Sequence, residues 1–162
     1  MLTTNGQNNK YTVTNSCEGF SYSFTKPQNW VLDSTNAANY LAHSAIFKSK
    51  VDYDNGGLII QLLAYKKQDE NTNEDLDYDV NSYKNRYKNL KEKEFKINHP
   101  NYRTYSTELY VEGNFYQYIV YINPGKEYKF GVSAALNINK NELDQKDLET
   151  FKEIIKSIQV LK

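Results

Sequence analysis

Residues that commonly carry out chemistry are scarce in this sequence, which has one cysteine and two histidines among 162 residues. The single thiol, Cys17, excludes an intramolecular disulfide and any metal site built from several cysteines. His43 and His99 lie in different segments and lack the spacing that places two imidazoles on one metal ion. The Gly-x-Ser-x-Gly elbow, the phosphate-binding loop and the dinucleotide fingerprint are also absent. The sequence therefore predicts no catalytic residue, no metal ligand and no cofactor.

Net charge is also lacking, because 20 Lys and Arg residues balance 20 Asp and Glu residues. A neutral chain gives no electrostatic reason to expect nucleic acid or an anionic membrane as a partner. No apolar run approaches the roughly 18 residues that a membrane-spanning helix needs. The chain has 162 residues, of which 39% are apolar. This length and composition are sufficient for one domain with its own core.

The first residues, Met1 to Lys10, are polar and resemble neither a signal peptide nor a transit peptide. Two interpretations stay open. The protein is cytoplasmic if Met1 is the native start, or it is a mature extracytoplasmic chain whose export signal has been removed, and we expect the second. Residues 1–17 are predicted to be a flexible tail that ends at most in a short strand, and residues 18–162 a single α+β domain.

Tyrosine is abundant, with 15 residues that help to bring the aromatic content to 14%. Tyrosine suits half-buried sheet faces and binding surfaces equally well. Several tyrosines fall in a predicted β-hairpin from Phe115 to Leu136, whose turn is Asn123-Pro124-Gly125. With the alternating segment from Tyr102 to Glu112, this hairpin predicts a three-stranded antiparallel meander.

The remaining elements are predicted from periodicity and from turn signals. Expected strands are 20–25, 44–50, 58–65 and 94–98, with a hairpin turn at Asp54-Asn55-Gly56-Gly57, a short helix at 36–42 and a final extended segment at 158–161. One amphipathic helix is expected from the stripe Leu76, Val80, Tyr83, Tyr87 and Leu90, and a second from Leu148, Phe151, Ile154, Ile155 and Ile158. Asp144 is the expected N-cap of the second helix. We expect that helix to lie over the small face of the hairpin, formed by Gly131, Ser133 and Ala135.

Four segments together resemble a known family. They are Tyr22 to Trp30 (Tyr-Ser-Phe-Thr-Lys-Pro-Gln-Asn-Trp), the loop and helix after Tyr65, the strands from Tyr102 to Leu136, and Phe151 to Ile158 (Phe-Lys-Glu-Ile-Ile-Lys-Ser-Ile). Their order over residues 18–161 resembles the PsbP-like superfamily, which includes the Mog and DcrB-type proteins. The resemblance implies an α/β/α sandwich with an antiparallel sheet. It also implies a mostly non-catalytic role, since members assist photosystem assembly, bind a small GTPase, occur as periplasmic lipoproteins or act as cytoplasmic chaperones.

The sequence thus favours a non-catalytic binding or accessory protein that engages a protein or peptide through a tyrosine-rich sheet face or groove. The candidate partner-binding residues are Tyr110, Tyr116, Tyr118 and Tyr121. One alternative is a hydrolase with a dispersed site, which requires a pocket where His43 or His99 meets a carboxylate or a serine. A second alternative is a cytoplasmic chaperone or adaptor for a secreted protein. The protein is expected to be a monomer or a weak homodimer.

Overall fold

The structure, a computed structural model, describes residues 11–49, 57–68, 70–139 and 143–162. Within these ranges the strands are β1 Tyr11–Cys17, β2 Phe20–Lys26, β3 Val31–Asp33, β4 Ser44–Phe47, β5 Leu58–Lys66, β6 Lys91–Glu94, β7 Arg103–Val111, β8 Phe115–Asn123, β9 Phe130–Asn139 and β10 Gln159–Val160. The helices are α1 Asn73–Arg86 and α2 Gln145–Ser157, with a one-turn 3-10 helix at Ala37–Tyr40.

The strands form two antiparallel sheets. The larger sheet has seven strands in the order β3-β4-β5-β9-β8-β7-β6, and the smaller has three in the order β1-β2-β10. The predicted meander is confirmed, because β7 pairs with β8 and β8 pairs with β9. β5 adds to the other side of β9, so the hairpin of β8 and β9 lies near the middle of the larger sheet.

The main core lies between the large sheet on one side and α2 with the small sheet on the other. Its members include Val132, Ala134 and Leu136 of β9, Phe20, Tyr22 and Phe24 of β2, and Phe151, Ile154 and Ile155 of α2. The Asp144 side chain accepts a hydrogen bond from the backbone N–H of Lys146 at 2.9 Å. The predicted N-cap of this helix is thereby confirmed.

The expectation that α2 covers Gly131, Ser133 and Ala135 is wrong. Side chains on a strand alternate between faces, and α2 packs on the face that holds Val132 and Leu136. This arrangement removes large apolar side chains from water on both partners, whereas the small face offers little area to bury.

Among the described residues, those that cover the opposite face of the large sheet lie at its two ends. Near β7 and β8, the α1 residues Leu76 and Val80 pack with Leu109, Ile119 and Tyr121. Near β4 and β5, a smaller cluster joins Ala37, Ala42, Ala45, Phe47 and Ile59. Between these two covers, the small face of β9 is left partly open.

Several predicted boundaries differ from the structure. Residues 11–17, assigned to a flexible tail that ends at most in a short strand, form the seven-residue strand β1, which pairs with β2 through a turn at Glu18 and Gly19, both at positive φ. α1 ends at Arg86 instead of near Leu90. The strand predicted at 94–98 lies earlier in the chain, at Lys91–Glu94, where it is β6. Residues 1–10 of the predicted tail and 54–56 of the predicted hairpin turn lie outside the described residues.

Candidate functional site

The main functional candidate is a groove of about 420 Å³ on the partly covered face of the large sheet. It runs over β5, β9 and β8, with α1 along one side and the chain after the 3-10 helix at the other. We call it the central groove, and it is lined by Leu41, Gln61, Leu63, Tyr65, Asp79, Ser82, Tyr83, Arg86, Tyr121, Ser133 and Ala135. Its volume falls within the common range for ligand sites, roughly 300–1,000 Å³.

The floor of the groove is formed by short side chains and by a fixed amide. Ser133 and Ala135 of β9 leave room above the strand. The Gln61 amide donates to the backbone carbonyl of Tyr40 and accepts from the Asn137 side chain. Because both ends of this amide already have hydrogen-bond partners, it gives the floor shape and polarity without requiring a hydrogen bond from a ligand.

Two tyrosines form one wall of the groove. The rings of Tyr65 and Tyr121 meet edge to face, with centroids 4.7 Å apart. Burial raises the pKa of both hydroxyls, and for Tyr121 the hydrogen bond that it donates to Asp79 adds to this rise. Both groups therefore remain protonated near neutral pH, and the Tyr121 hydroxyl acts as a neutral donor.

Gly131 determines how deeply the Tyr65 ring can sit. A Cβ atom at this position would lie 2.6 Å from the Tyr65 hydroxyl and 2.7 Å from the backbone oxygen of Ile122. Both distances are below ordinary contact, so only glycine fits without a local shift. The glycine, chosen for close approach and not for a turn, keeps the tyrosine wall against the sheet.

The α1 side of the groove is polar. Asp79, Ser82, Tyr83 and Arg86 all line it, and their spacing of three, four and seven residues from Asp79 puts them on one helix face. The Tyr83 hydroxyl accepts a hydrogen bond from the Gln117 side chain at 2.9 Å. Arg86 lies 5.5 Å from the centre of the Tyr87 ring and is exposed. In the described part of the chain, Arg86 forms no ion pair.

Leu41 stands at the other rim in an unusual state. Its backbone is left-handed, with φ 55° and ψ 43°, and its residue surface is 84% exposed. A left-handed conformation costs a non-glycine residue about 1–2 kcal/mol. An exposed leucine in a strained backbone, beside an open groove, is a combination that packing of the fold does not require.

The structure does not bring the four candidate tyrosines together. Tyr110 and Tyr116 are cross-strand partners whose rings stack at 5.6 Å, on the face of β8 that turns away from the groove. Tyr118 shares that face but is buried, with its ring centre 4.9 Å from that of Phe95. Tyr121 is also buried and lines the groove on the opposite face. The odd sequence separation of Tyr121 from Tyr116 and from Tyr118 (five and three positions) is the reason, since faces alternate along a strand.

The two histidines do not form the arrangement that a hydrolase would need. His43 Nδ1 accepts from the backbone N–H of Ala64 at 3.3 Å. His99 is buried, with Nδ1 accepting from the N–H of Asn101 and Nε2 3.0 Å from the carbonyl of Ile158. Burial lowers the pKa of both imidazoles. Among the described residues, neither ring is hydrogen-bonded to a carboxylate or a hydroxyl.

Other classes of site were also sought in the described ranges. No group of three His, Cys, Asp or Glu side chains there is placed to hold a metal ion. None of the helices in those ranges is both long and apolar enough to cross a membrane.

Sequence reasoning missed most of the groove. The polar residues of α1 carried a signal, because Asp79, Ser82 and Arg86 flank the apolar stripe at helical spacing. Leu41 carried none, since its exposure follows from the path of the chain after the 3-10 helix. The open floor also depended on which face α2 covers.

Comparisons with known proteins place the fold. No family model and no curated protein matches the chain. Among solved structures, the solution structure of the cyanobacterial PsbP protein CyanoP from Synechocystis sp. PCC 6803 is similar over 97% of this chain and 96% of that chain, with a TM-score of 0.52 at 12% identity. LpqN of Mycobacterium tuberculosis, described as involved in cell envelope biogenesis, is similar over 96% of this chain and 87% of that chain, with a TM-score of 0.55 at 12% identity. The chain therefore has a PsbP-like α+β fold, as the sequence resemblance implied, and at this identity the likeness shows the fold alone.

Proposed function

We propose that the protein is a non-catalytic binding protein that holds a segment of a polypeptide partner in the central groove. The observation that carries this proposal is the open floor of β9 between two covered ends of the same sheet face. Both neighbouring regions of that face bury apolar side chains, whereas Ser133 and Ala135 line an unfilled cavity. The proposal accounts for space that the packing of the fold leaves unused.

The chemistry of the walls supports a polypeptide as the occupant. One side offers apolar contact from Leu41 and Leu63, and the other offers donors and acceptors from Ser82 and Tyr83. A peptide needs both, because its amide groups seek hydrogen bonds while some side chains seek burial. Tyrosine rings such as Tyr121 provide a large contact area at a low cost in conformational entropy.

The similarity to LpqN, a protein described as involved in cell envelope biogenesis, supports an accessory role outside the cytoplasm. We place the protein there as part of the same proposal. A fusion of the complete gene to alkaline phosphatase, which is active only after export, should give activity in whole cells. Activity of a matched cytoplasmic reporter fusion, with none from the phosphatase fusion, would refute the placement.

The stacked pair Tyr110 and Tyr116 on the opposite face supports a second binding surface. Lys93 lies 4.5 Å from the centre of the Tyr110 ring, and both tyrosines are half-buried. Such a partly exposed aromatic and cationic surface is typical of protein contacts. It differs from the groove in position, so variants can separate the two.

The test uses one groove variant and one variant of the opposite face. Ala135→Trp should fill the groove from its floor, and Tyr110→Ser should remove a ring from the opposite face. Purified variants with unchanged circular dichroism would be used as baits in cells of the native organism, with chemical cross-linking. We expect a partner that the wild type and Tyr110→Ser capture and that Ala135→Trp loses. If Ala135→Trp retains the partner while Tyr110→Ser loses it, the site lies on the second surface and the groove proposal fails.

A further inference from the structure

We propose that the central groove selects extended peptide segments that place a carboxylate at Arg86 and apolar side chains against Leu41, Leu63 and Ala135. This inference rests on the proposed function, since it specifies the occupant of the same groove. It is carried by the distribution of charge and apolar surface along the walls.

Within the part of the chain that the structure describes, Arg86 is a cation of the groove without an ion pair. It is exposed, and none of the described carboxylates lies within ion-pair distance of it. Lys84, two positions earlier, shows the contrast, because its amine is 2.9 Å from a Glu92 carboxylate oxygen. An arginine at a groove mouth can form two parallel hydrogen bonds to one carboxylate, which gives direction as well as attraction.

Asp79 marks the other end of the same helix face. Its carboxylate already accepts the hydrogen bond from Tyr121, and the side chain is half-buried. Seven residues of helix separate Asp79 from Arg86, which corresponds to about 10 Å along the axis. The groove is thus asymmetric, with a satisfied carboxylate at one end and an available guanidinium at the other. An acidic group on the occupant is therefore favoured at the Arg86 end.

The apolar contacts lie on the floor of the groove and at the rim opposite α1. Leu63 and Ala135 lie on the floor and Leu41 at that rim, and none of the three has a polar atom in its side chain. In an extended peptide successive side chains point to opposite sides, so one set can face this apolar surface while the other faces Ser82 and Arg86. Burial of one aliphatic side chain against such a surface contributes on the order of 1.5–3 kcal/mol.

The experiment pans a phage library of random heptapeptides against the purified full chain at low ionic strength. Peptides are eluted and sequenced after selection on the wild type, on Ala135→Trp, on Arg86→Glu and on Lys88→Glu. Lys88 is exposed, lies two residues beyond Arg86 and does not line the groove, so it is the matched charge control. Affinities of synthetic versions of the enriched peptides are then measured by fluorescence anisotropy.

We expect the enriched peptides to combine aliphatic residues with one Asp or Glu. Ala135→Trp should no longer bind these peptides. Arg86→Glu should weaken them about tenfold, and Lys88→Glu should change their affinity less than about twofold. A version with Lys in place of the acid should regain affinity on Arg86→Glu. Addition of about 0.5 M NaCl should reduce the difference between the wild type and Arg86→Glu.

Three other outcomes would overturn the inference in distinguishable ways. In the first, the enriched peptides fail to bind Ala135→Trp, but they show no preference for Asp or Glu and bind Arg86→Glu as tightly as the wild type. This result refutes the preference for a carboxylate at Arg86 and leaves the binding function intact. In the second, no enriched peptide loses binding on Ala135→Trp. This result refutes both the preference for a carboxylate at Arg86 and the groove as a polypeptide site. Enrichment of basic peptides by the wild type would assign the selectivity to Asp79 and refute the role of Arg86.

Discussion

The hydroxyl of Tyr121 donates a hydrogen bond to the carboxylate of Asp79, which joins strand β8 to helix α1 at the edge of the central groove. The same Tyr121 ring packs edge to face on Tyr65. One contact therefore fixes the helix on the sheet and also positions a wall of the groove. Four predictions concern this region and the segments that support it.

Tyr121→Phe should lower the free energy of unfolding by about 1.5–3 kcal/mol, the usual range for a hydrogen bond to a charged group. The measurement is urea denaturation followed by fluorescence. Tyr105→Phe is the matched control, because Tyr105 is half-buried and its hydroxyl has no hydrogen bond among the described residues. In an Asp79→Ala background the effect of Tyr121→Phe should become small; an equal effect in both backgrounds would show that the bond contributes nothing.

Gly131→Ala should destabilise the protein by about 1–3 kcal/mol, since the added methyl group overpacks a full site. The neighbouring Ile122 carbonyl at 2.7 Å from the new Cβ is backbone and cannot swing away. Ser133→Ala, on the same strand and face, is the control and should change stability by less than about 0.5 kcal/mol. A thermal midpoint of Gly131→Ala equal to that of the wild type would contradict the close approach of Tyr65 to β9.

Leu41→Asn should raise the free energy of unfolding by about 1 kcal/mol, because asparagine tolerates the left-handed backbone better than leucine does. Little packing is lost, as Leu41 is 84% exposed. Leu41→Ala also removes the leucine side chain, but alanine does not relieve the strain of the left-handed backbone. This variant should therefore be no more stable than the wild type. Both variants should bind groove peptides more weakly than the wild type. Equal stability of the two variants would mean that the backbone of Leu41 is not strained.

The stability of the protein should rise with pH between about 5 and 7. Burial lowers the pKa of His99 below its ordinary 6.5, so at a given pH in this window His99 binds a proton more readily in the unfolded chain than in the folded chain. Folding is then favoured less as the pH falls. His43 contributes in the same direction. His99→Asn should reduce the slope of unfolding free energy against pH, even if it lowers stability at every pH; an unchanged slope would contradict a buried neutral imidazole.

Much of the fold could be predicted from the sequence where a periodic apolar pattern exists. The alternation in β9 and the stripe from Leu148 to Ile158 each gave the correct element, and Asp144 gave the correct helix start. The segments without such a pattern were missed. In β1, Thr12, Thr14 and Ser16 are exposed and the residues between them are only half-buried. In β6, all four residues are exposed. Their pairing with neighbouring strands comes from backbone hydrogen bonds, which leave no mark in side-chain hydrophobicity.

The groove was harder to predict, because it depends on a choice between two faces of one strand. β9 offers either Val132 and Leu136 or Ser133 and Ala135 to α2, and a periodicity of two cannot rank them. Close packing of a helix on small side chains and burial of large ones are both common solutions. Only the position of α2 shows that the small face stays open and that Tyr121 lines a groove instead of joining Tyr116 in a surface patch.

The cover of the main core comes from two distant parts of the chain. Phe24 belongs to β2, whereas Phe151 and Ile154 belong to α2, and β10 pairs with β2 immediately afterwards. During synthesis, the meander that ends at residue 139 and the β2 part of the cover are complete before α2 has been made. Val132 and Leu136 therefore lack the α2 part of their cover until residues 145–160 emerge. The wide separation of these contacts predicts slow folding, with a vulnerable interval in which the half-made sheet can aggregate.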